Sequence, residues 1–552
     1  LLDLDEVFRV ALFAFALLPV LLTLRLRSQA RLLAAGLFAA ACLLAVVLPG
    51  WRPERLASGA FSLRTPSAAS FDGPRGFFDA WNEDRSVEFY QDDPFASTAV
   101  VRIAAGAAKG LGVATNGRMA GHAPLDDPTT TLLAVLPALL GEKSERLLLI
   151  SFGAGTTLEA TLAGGGAQRV VVAERSDAGV RAARTIDAER GRSLDRPGVE
   201  LVQADPLRLL MHGRETFDAI VAAPTTPWVR GDGVLFSREF YAAAKARLGP
   251  GGVLVQGFRV LDAGDASIAQ VLRTFSSVFP RSAVWYGLGQ DLLLVGFADD
   301  AASLDLARVE ARLAAPGIQA SLAGIGIAGA PALFAHELLP EGVLAAARLE
   351  GELETIAAPR VAADAALAQF SDTVGRLPPT YVTAAARIGT ERALLRRLAQ
   401  ADGGQLSDAA TASAITELCR CRADECAVAI AAWQSRTPDA PALALLTRQL
   451  AKDPARAAWV APAIQTALQQ LLGTRPLVGS ISIESARSAS DVFARHHSRL
   501  APLSHATLLA IWQRCDDGGK GQCPAGLERL RRELAQDGAQ AKQPEASPGA
   551  GD

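Results

Sequence analysis

The stretch Leu147-Leu-Leu-Ile-Ser-Phe-Gly153-Ala-Gly155-Thr-Thr157 decides the fold of this chain. A short, purely apolar run reads as a strand buried on both faces. It leads directly into Gly-x-Gly and then into sequence that suits a helix. Glycines let the backbone turn tightly and approach a ligand closely, and a helix N-terminus favours polar or anionic groups. Any tight strand-to-helix turn could use the same residues, so the neighbours matter. Apolar strands are expected at 146–151, 169–173, 199–202, 219–222 and 252–256, each separated by helical or turn sequence. Such alternation implies a parallel sheet covered on both faces, that is, a Rossmann-like α/β domain.

The ends of the next two strands carry acids. Val170-Val-Val-Ala-Glu174 places a carboxylate about 20 residues beyond the glycines, where an acidic residue binds ribose hydroxyls. Leu201-Val-Gln-Ala-Asp205 places another, suited to an adenine amino group. Ligands bind at the carboxyl ends of strands in open α/β sheets. Either acid would serve equally as a solvated residue or as the cap of the helix that follows.

Outside this core the chain of 552 residues is 50% hydrophobic and 20% charged, with a net charge of −3. No basic stripe exists for a phosphate backbone, which argues against a nucleic-acid partner. The apolar excess lies near the start. Two runs, 10–24 and 32–48, are nearly free of charge and sit near the short limit for a bilayer span. They read as a membrane hairpin at 1–50, in preference to a signal peptide or a buried helix pair. Arg25, Arg27 and Arg31 in the connecting loop balance Arg52, Arg55 and Arg64 in the C-terminal flank, so the positive-inside rule does not orient it. The first residue is Leu1, which suits a cleaved chain, an alternative start codon or a longer gene with further spans.

The remaining divisions expected are a linker at 51–85, a small β unit with a helix at 86–145, and the Rossmann-like domain at 146–300. An α-helical domain without strands at 301–536 and a disordered tail at 537–552 complete the chain. In the β unit, short strands are expected at 100–103 and 112–115 and a helix at 132–140. Cys419, Cys421, Cys426, Cys515 and Cys523 match no common zinc spacing, and no metal site is expected from them or from His496 and His497.

Read in order, Phe89-Tyr-Gln91, Asn116-Gly117, Asp127-Pro-Thr129, Gly153-x-Gly155, Glu174, Asp205, Pro224-Thr-Thr-Pro-Trp228, Leu235-Phe-Ser-Arg-Glu-Phe-Tyr241 and Gly251-Gly252 resemble the spermidine synthase family. The likeness is greatest to its bacterial membrane-fused members and extends over about 85–360, through Arg273-Thr-Phe, Trp285, Asp291-Leu-Leu-Leu294 and Ala358-Pro-Arg360. The resemblance implies a class I methyltransferase-type sheet closed by an antiparallel strand at 292–296. It also implies a site for S-adenosylmethionine or its decarboxylated form, with Gly153, Gly155, Glu174, Asp205 and Gln91 as binding residues. Family members transfer an aminopropyl group to an amine and are often homodimers. Their substrates are cytosolic, so the expected location is the bacterial inner membrane with the soluble domains on the cytoplasmic side. The appended helical region is a candidate surface for a protein partner.

The family's catalytic Asp, on the loop after the fourth strand, is Ala223 here, and its second Asp is Thr226. Neither can act as a base near neutral pH. Asp92, Asp126, Asp127 and Asp232 are substitutes of low promise, Asp127 the best because the family carries an acid there; Tyr90 is a further weak candidate. Two readings stand side by side. One is a divergent or active aminopropyltransferase or methyltransferase; the other is a non-catalytic domain kept as a ligand sensor or scaffold.

Overall fold

The computed structural model describes residues 3–23, 28–47, 50–60, 68–104, 109–122, 127–225, 227–260, 263–287, 291–300, 304–371, 373, 375, 377, 393–404 and 406–421. The cysteines from 426 onward, His496, His497 and the 537–552 tail lie outside them. So do Asp126 and Thr226, and the side chains of Asp127, Cys419 and Cys421. The chain falls into two units. One comprises Leu1–Gly326 with Glu337–Arg397; the other comprises Ile327–His336 with Leu398–Asp552.

The first unit holds two sheets. The larger is built on β5 (Arg146–Ile150), β6 (Arg169–Glu174), β7 (Val199–Gln203), β8 (Phe217–Thr225) and β9 (Leu248–Arg259). These five run parallel in the order β7-β6-β5-β8-β9. Three antiparallel strands extend the edge beyond β9. They are β11 (Asp291–Phe297), β10 (Ser282–Tyr286) and β12 (Glu337–Leu339). The antiparallel partner expected at 292–296 is β11. The three-residue β12 corrects the expectation of no strand after about 300; so short a segment carries no periodicity to read.

Alternation explains the two buried faces. Leu148, Ile150, Val171, Ala173, Ile220, Ala222 and Leu254 share a core with Phe236, Phe240, Tyr241 and Phe275. The helix Asp127–Leu140, with Leu132, Leu133 and Leu136 fully buried, packs against β8 and β9. Within the core, Tyr241 Oη donates to Gln256 Oε1 at 2.8 Å, and Gln256 Nε2 donates to Leu235 O at 2.9 Å. This satisfied polar chain fixes the turn Gly233–Phe236, and with it the exit of the loop after β8.

The smaller sheet is an antiparallel meander of β1 (Arg85–Asp92), β2 (Ser97–Ile103), β3 (Gly110–Thr115) and β4 (Arg118–His122). Asn116 and Gly117 join β3 to β4 with φ of 50° and 77°. Two successive positive φ values are what a two-residue hairpin with right-handed strand twist requires, and Asn-Gly supplies them with least strain.

Two further helices, Leu4–Thr23 and Ser28–Val47, have 20 residues each. At a rise of about 1.5 Å per residue each is about 30 Å long, the thickness of a bilayer core. Phe15, Leu22, Leu32 and Leu33 all point outward and are exposed. By length and composition both helices can cross a membrane. The first begins earlier than its apolar run, because Asp5 and Arg9 pair at 3.6 Å within its opening turns. Arg9 Nη1 also donates to Ala45 O of the second helix at 3.2 Å.

In the second unit, the helix Gly329–Phe334 packs on the helix Asp408–Cys421. His336 Nε2 lies 3.3 Å from Glu417 Oε2, and Arg420 Nη1 donates to the same oxygen at 3.4 Å.

Candidate functional site

The carboxyl end of the larger sheet opens into a cavity of about 160 Å³, roofed by the smaller sheet. Its floor is the glycine loop. Ser151, Gly153 and Gly155 all have positive φ, at 69°, 56° and 90°. Left-handed backbone is costly for a residue with a Cβ, so Ser151 is the strained member. A Cβ on Gly153 would meet nothing within 4 Å, so this face of the loop is open to close approach. A Cβ on Gly155 would meet the Phe152 ring at 2.9 Å, so this glycine serves packing behind the cavity wall.

Glu174 closes the next side. Its Oε1 accepts from Phe152 N at 2.5 Å and from Ser151 Oγ at 3.3 Å. Burial pushes its pKa up, and these two donors pull it partly back. The nearby negative charge of Asp232 raises it further, while Arg175 lowers it. The carboxylate thus stands at the strand end beside the open glycine loop.

The other residues singled out from the sequence are placed differently. Asp205 does not line the cavity. Its Oδ1 caps the helix Pro206–His212 by accepting from Arg208 N at 3.0 Å, and its Oδ2 lies 3.5 Å from Arg175 Nε. Gln91 Nε2 donates to Asp177 Oδ2 at 3.1 Å, away from the cavity lining. Tyr90 Oη donates to Asp92 Oδ1 at 2.9 Å, and burial holds its pKa above the ordinary tyrosine range. Asp92 Oδ2 in turn accepts from Leu4 N at 2.8 Å, capping the first apolar helix. Asp127 opens the helix Asp127–Leu140, whose Thr129 and Thr130 reach the cavity. Ala223 lines the cavity near the end of β8, and Asp232 lines it from the following loop.

Several cavity residues were not singled out as site residues from the sequence. Arg175, immediately after Glu174, is only 12% exposed and binds Asp232 Oδ1 at 2.7 Å through Nη1. It also donates to Arg230 O at 3.2 Å and Gly231 O at 3.1 Å, and its guanidinium lies 5.6 Å from the Phe95 ring. At the far end, Arg259 and Asp291 face each other across β9 and β11, their charged groups 3.6 Å apart. His122, buried at the end of β4, completes that end. A search for pairs of opposite charge cannot find these residues, because the strand pairing that joins them spans distant sequence.

No family model matches the chain. Over 158 residues it is 28% identical to the polyamine aminopropyltransferase of Thermotoga maritima, covering 28% of this chain and 53% of that protein. It is 30% identical over 154 residues to polyamine aminopropyltransferase 2 of Pseudomonas aeruginosa, covering 27% and 44% of the two. The chain spans about half the length of the curated relatives it resembles. A crystal structure of spermidine synthase in complex with the transition-state analogue AdoDATO aligns at 21% identity over 40% of this chain and 78% of that one, with a TM-score of 0.36. The order of motifs along the sheet and these related aminopropyltransferases together make this part of the chain similar to the spermidine synthase family.

Proposed function

We propose that the cavity binds a thionucleoside of the S-adenosylmethionine class and that aminopropyl transfer by this chain is diverged or lost. One observation carries the second half. The family's base position is Ala223, and it forms cavity wall. Transfer of an aminopropyl group needs a neutral amine held in line and an acceptor for its proton. A methyl group offers neither. At the same end, Asp291 is already neutralised by Arg259, so a diamine's ammonium groups would find little net negative charge.

The nucleoside half rests on the open face of Gly153 and on Glu174, whose carboxylate would accept from ribose hydroxyls. The residues present suit such a ligand. When bound, decarboxylated S-adenosylmethionine would supply a sulfonium leaving group; the chain's own part is to hold the ribose and exclude water from beneath the smaller sheet. We place the domain behind a membrane hairpin, with the divisions 1–50, 51–85, 86–145, 146–300, 301–536 and 537–552 and the soluble parts on the cytoplasmic face. A homodimer, and a protein partner for the helical region, belong to the same reading.

A second reading, that transfer survives, is favoured by Asp232 and Asp291, which with Glu174 are the carboxylates lining the cavity among the described residues. The full-length chain in detergent micelles tests both. Calorimetry with S-adenosylmethionine, its decarboxylated form and methylthioadenosine should give micromolar binding; a panel of diamines with the decarboxylated donor should give no product. Product formation would establish the second reading, and no binding of any of the three nucleosides would overturn both.

A further inference from the structure

We propose that Asp232, held by Arg175, reads the base edge of the bound nucleoside and makes the cavity selective for a 6-aminopurine over a 6-oxopurine. The inference rests on the nucleoside reading above and adds the residue that sets base identity.

Asp205 and Asp232 look alike in sequence. Each precedes a helical turn at the carboxyl edge of the sheet, and each pairs with Arg175. In every other respect they differ. The Asp205 side chain is spent on capping its helix and lies outside the cavity lining. The Asp232 side chain makes no cap bond, although Asp232 occupies the N-cap position of the turn Gly233–Phe236. It turns instead into the cavity wall, with 20% of the side chain exposed.

Position then assigns the role. With Glu174 on the ribose, the base extends past it toward the residues that follow β6, β7 and β8. There the wall is Arg175, Ser176, Pro206, Val229 and Asp232. Asp232 is the carboxylate of this subsite. Its Oδ1 is held by Arg175 at 2.7 Å, and Oδ2 takes no part in that bond. An ionised carboxylate only accepts hydrogen bonds. It therefore suits the two N–H groups of an exocyclic amine and repels the lone pairs of a carbonyl oxygen. Burial lifts the pKa of Asp232 to about 6, which leaves it ionised at pH 7.5. Arg175 orients the carboxylate while spending its other donors on the carbonyls of Arg230 and Gly231.

The test uses the full-length chain in detergent micelles at pH 7.5, titrated with methylthioadenosine and with methylthioinosine, which differ at the 6-position. A hydrogen bond to a charged group, replaced by repulsion, should make the native chain prefer the adenosine form by about tenfold or more. Asp232→Asn, which can donate to a carbonyl, should cut the preference below about threefold or reverse it, and Asp232→Ala should abolish it without reversal. Asp205→Asn should keep the native preference. The ratio is taken within each variant, so a reduced folded fraction does not alter it. A native preference that survives both Asp232 variants overturns the inference, as does one lost in Asp205→Asn. Binding of both nucleosides without preference by the native chain overturns the inference alone. Absence of any binding overturns the nucleoside reading beneath it as well.

Discussion

Replacing Glu174 with Gln should raise or preserve the stability of the unliganded chain while severely weakening nucleoside binding. The substitution keeps shape and removes charge. Burial is the largest influence on this carboxyl, and it raises the pKa above the unfolded value. For such a group the stability contribution is full below the unfolded pKa and is lost as pH rises through the folded one. Glu174 therefore contributes less to the empty fold as the pH rises, even with Phe152 N at 2.5 Å. Gln keeps an acceptor for that N–H without the buried charge. Binding moves the other way. Two ribose hydroxyls donating to a carboxylate are worth roughly 1.5–3 kcal/mol each, and an amide oxygen recovers about 1 kcal/mol of the total. The net loss is about 2–5 kcal/mol, or roughly 30- to 4,000-fold in Kd. Thermal unfolding with and without methylthioadenosine reads both effects in one experiment. A variant that binds within about threefold of the native chain would show that Glu174 does not hold ribose. A variant that melts several degrees lower without ligand would show that the carboxylate serves mainly to tie down the glycine loop.

Other perturbations separate the parts of the site. Gly155→Ala, with φ of 90° and the Phe152 ring 2.9 Å from the new Cβ, should cost about 1–3 kcal/mol in unfolding free energy and reduce nucleoside affinity. Asp92→Ala removes the acceptor for Leu4 N and Tyr90 Oη and should lower stability by about 1–3 kcal/mol, with faster proteolysis near the start of the first helix. Nucleoside affinity should fall between pH 7.5 and 5 with a midpoint near 6, and Asp232→Asn should remove that step. The raised pKa of Asp232 means that its contribution to the empty fold is full below the ordinary 3.8 and lost as pH rises through about 6, so acid weakens binding while favouring the unliganded chain. Ala223→Asp combined with Thr226→Asp should create aminopropyl transfer to a diamine where the native chain has none; transfer no greater than native would mean that the amine pocket itself is gone.

The parallel sheet was legible because its strands are continuous apolar runs, each ended by a turn, from Leu147 to Gln256. The smaller sheet was half legible. β1, Arg85–Asp92, mixes half-buried and exposed positions along its length, so no apolar alternation announces it. β4 was missed although Asn116-Gly117, the signal for its hairpin, was noted as part of the family resemblance. At the site, Glu174 was readable because its place at a strand end is set by local sequence. Asp205 and Asp232 were not separable. Which of two capping positions turns its side chain into a cavity depends on Arg175, and the approach of residue 175 to residue 232 is a product of strand order. The pairing of Arg259 with Asp291 was hidden for the same reason, since β9 and β11 become neighbours only in the assembled sheet.

The cap on the first apolar helix has a mechanical consequence. Asp92 holds the helix start, and three residues later Phe95 forms cavity wall beneath the Arg175 guanidinium. That interval is at most roughly 10 Å of chain. It has no slack, because Asp93 Oδ1 accepts from both Phe95 N and Ala96 N, at 2.7 and 3.0 Å. Were the two helices set in a bilayer thinner than their length, they would tilt. A tilt of the first helix would pull on Asp92 and, through this short segment, on Phe95 at the cavity wall, so the two positions are mechanically linked.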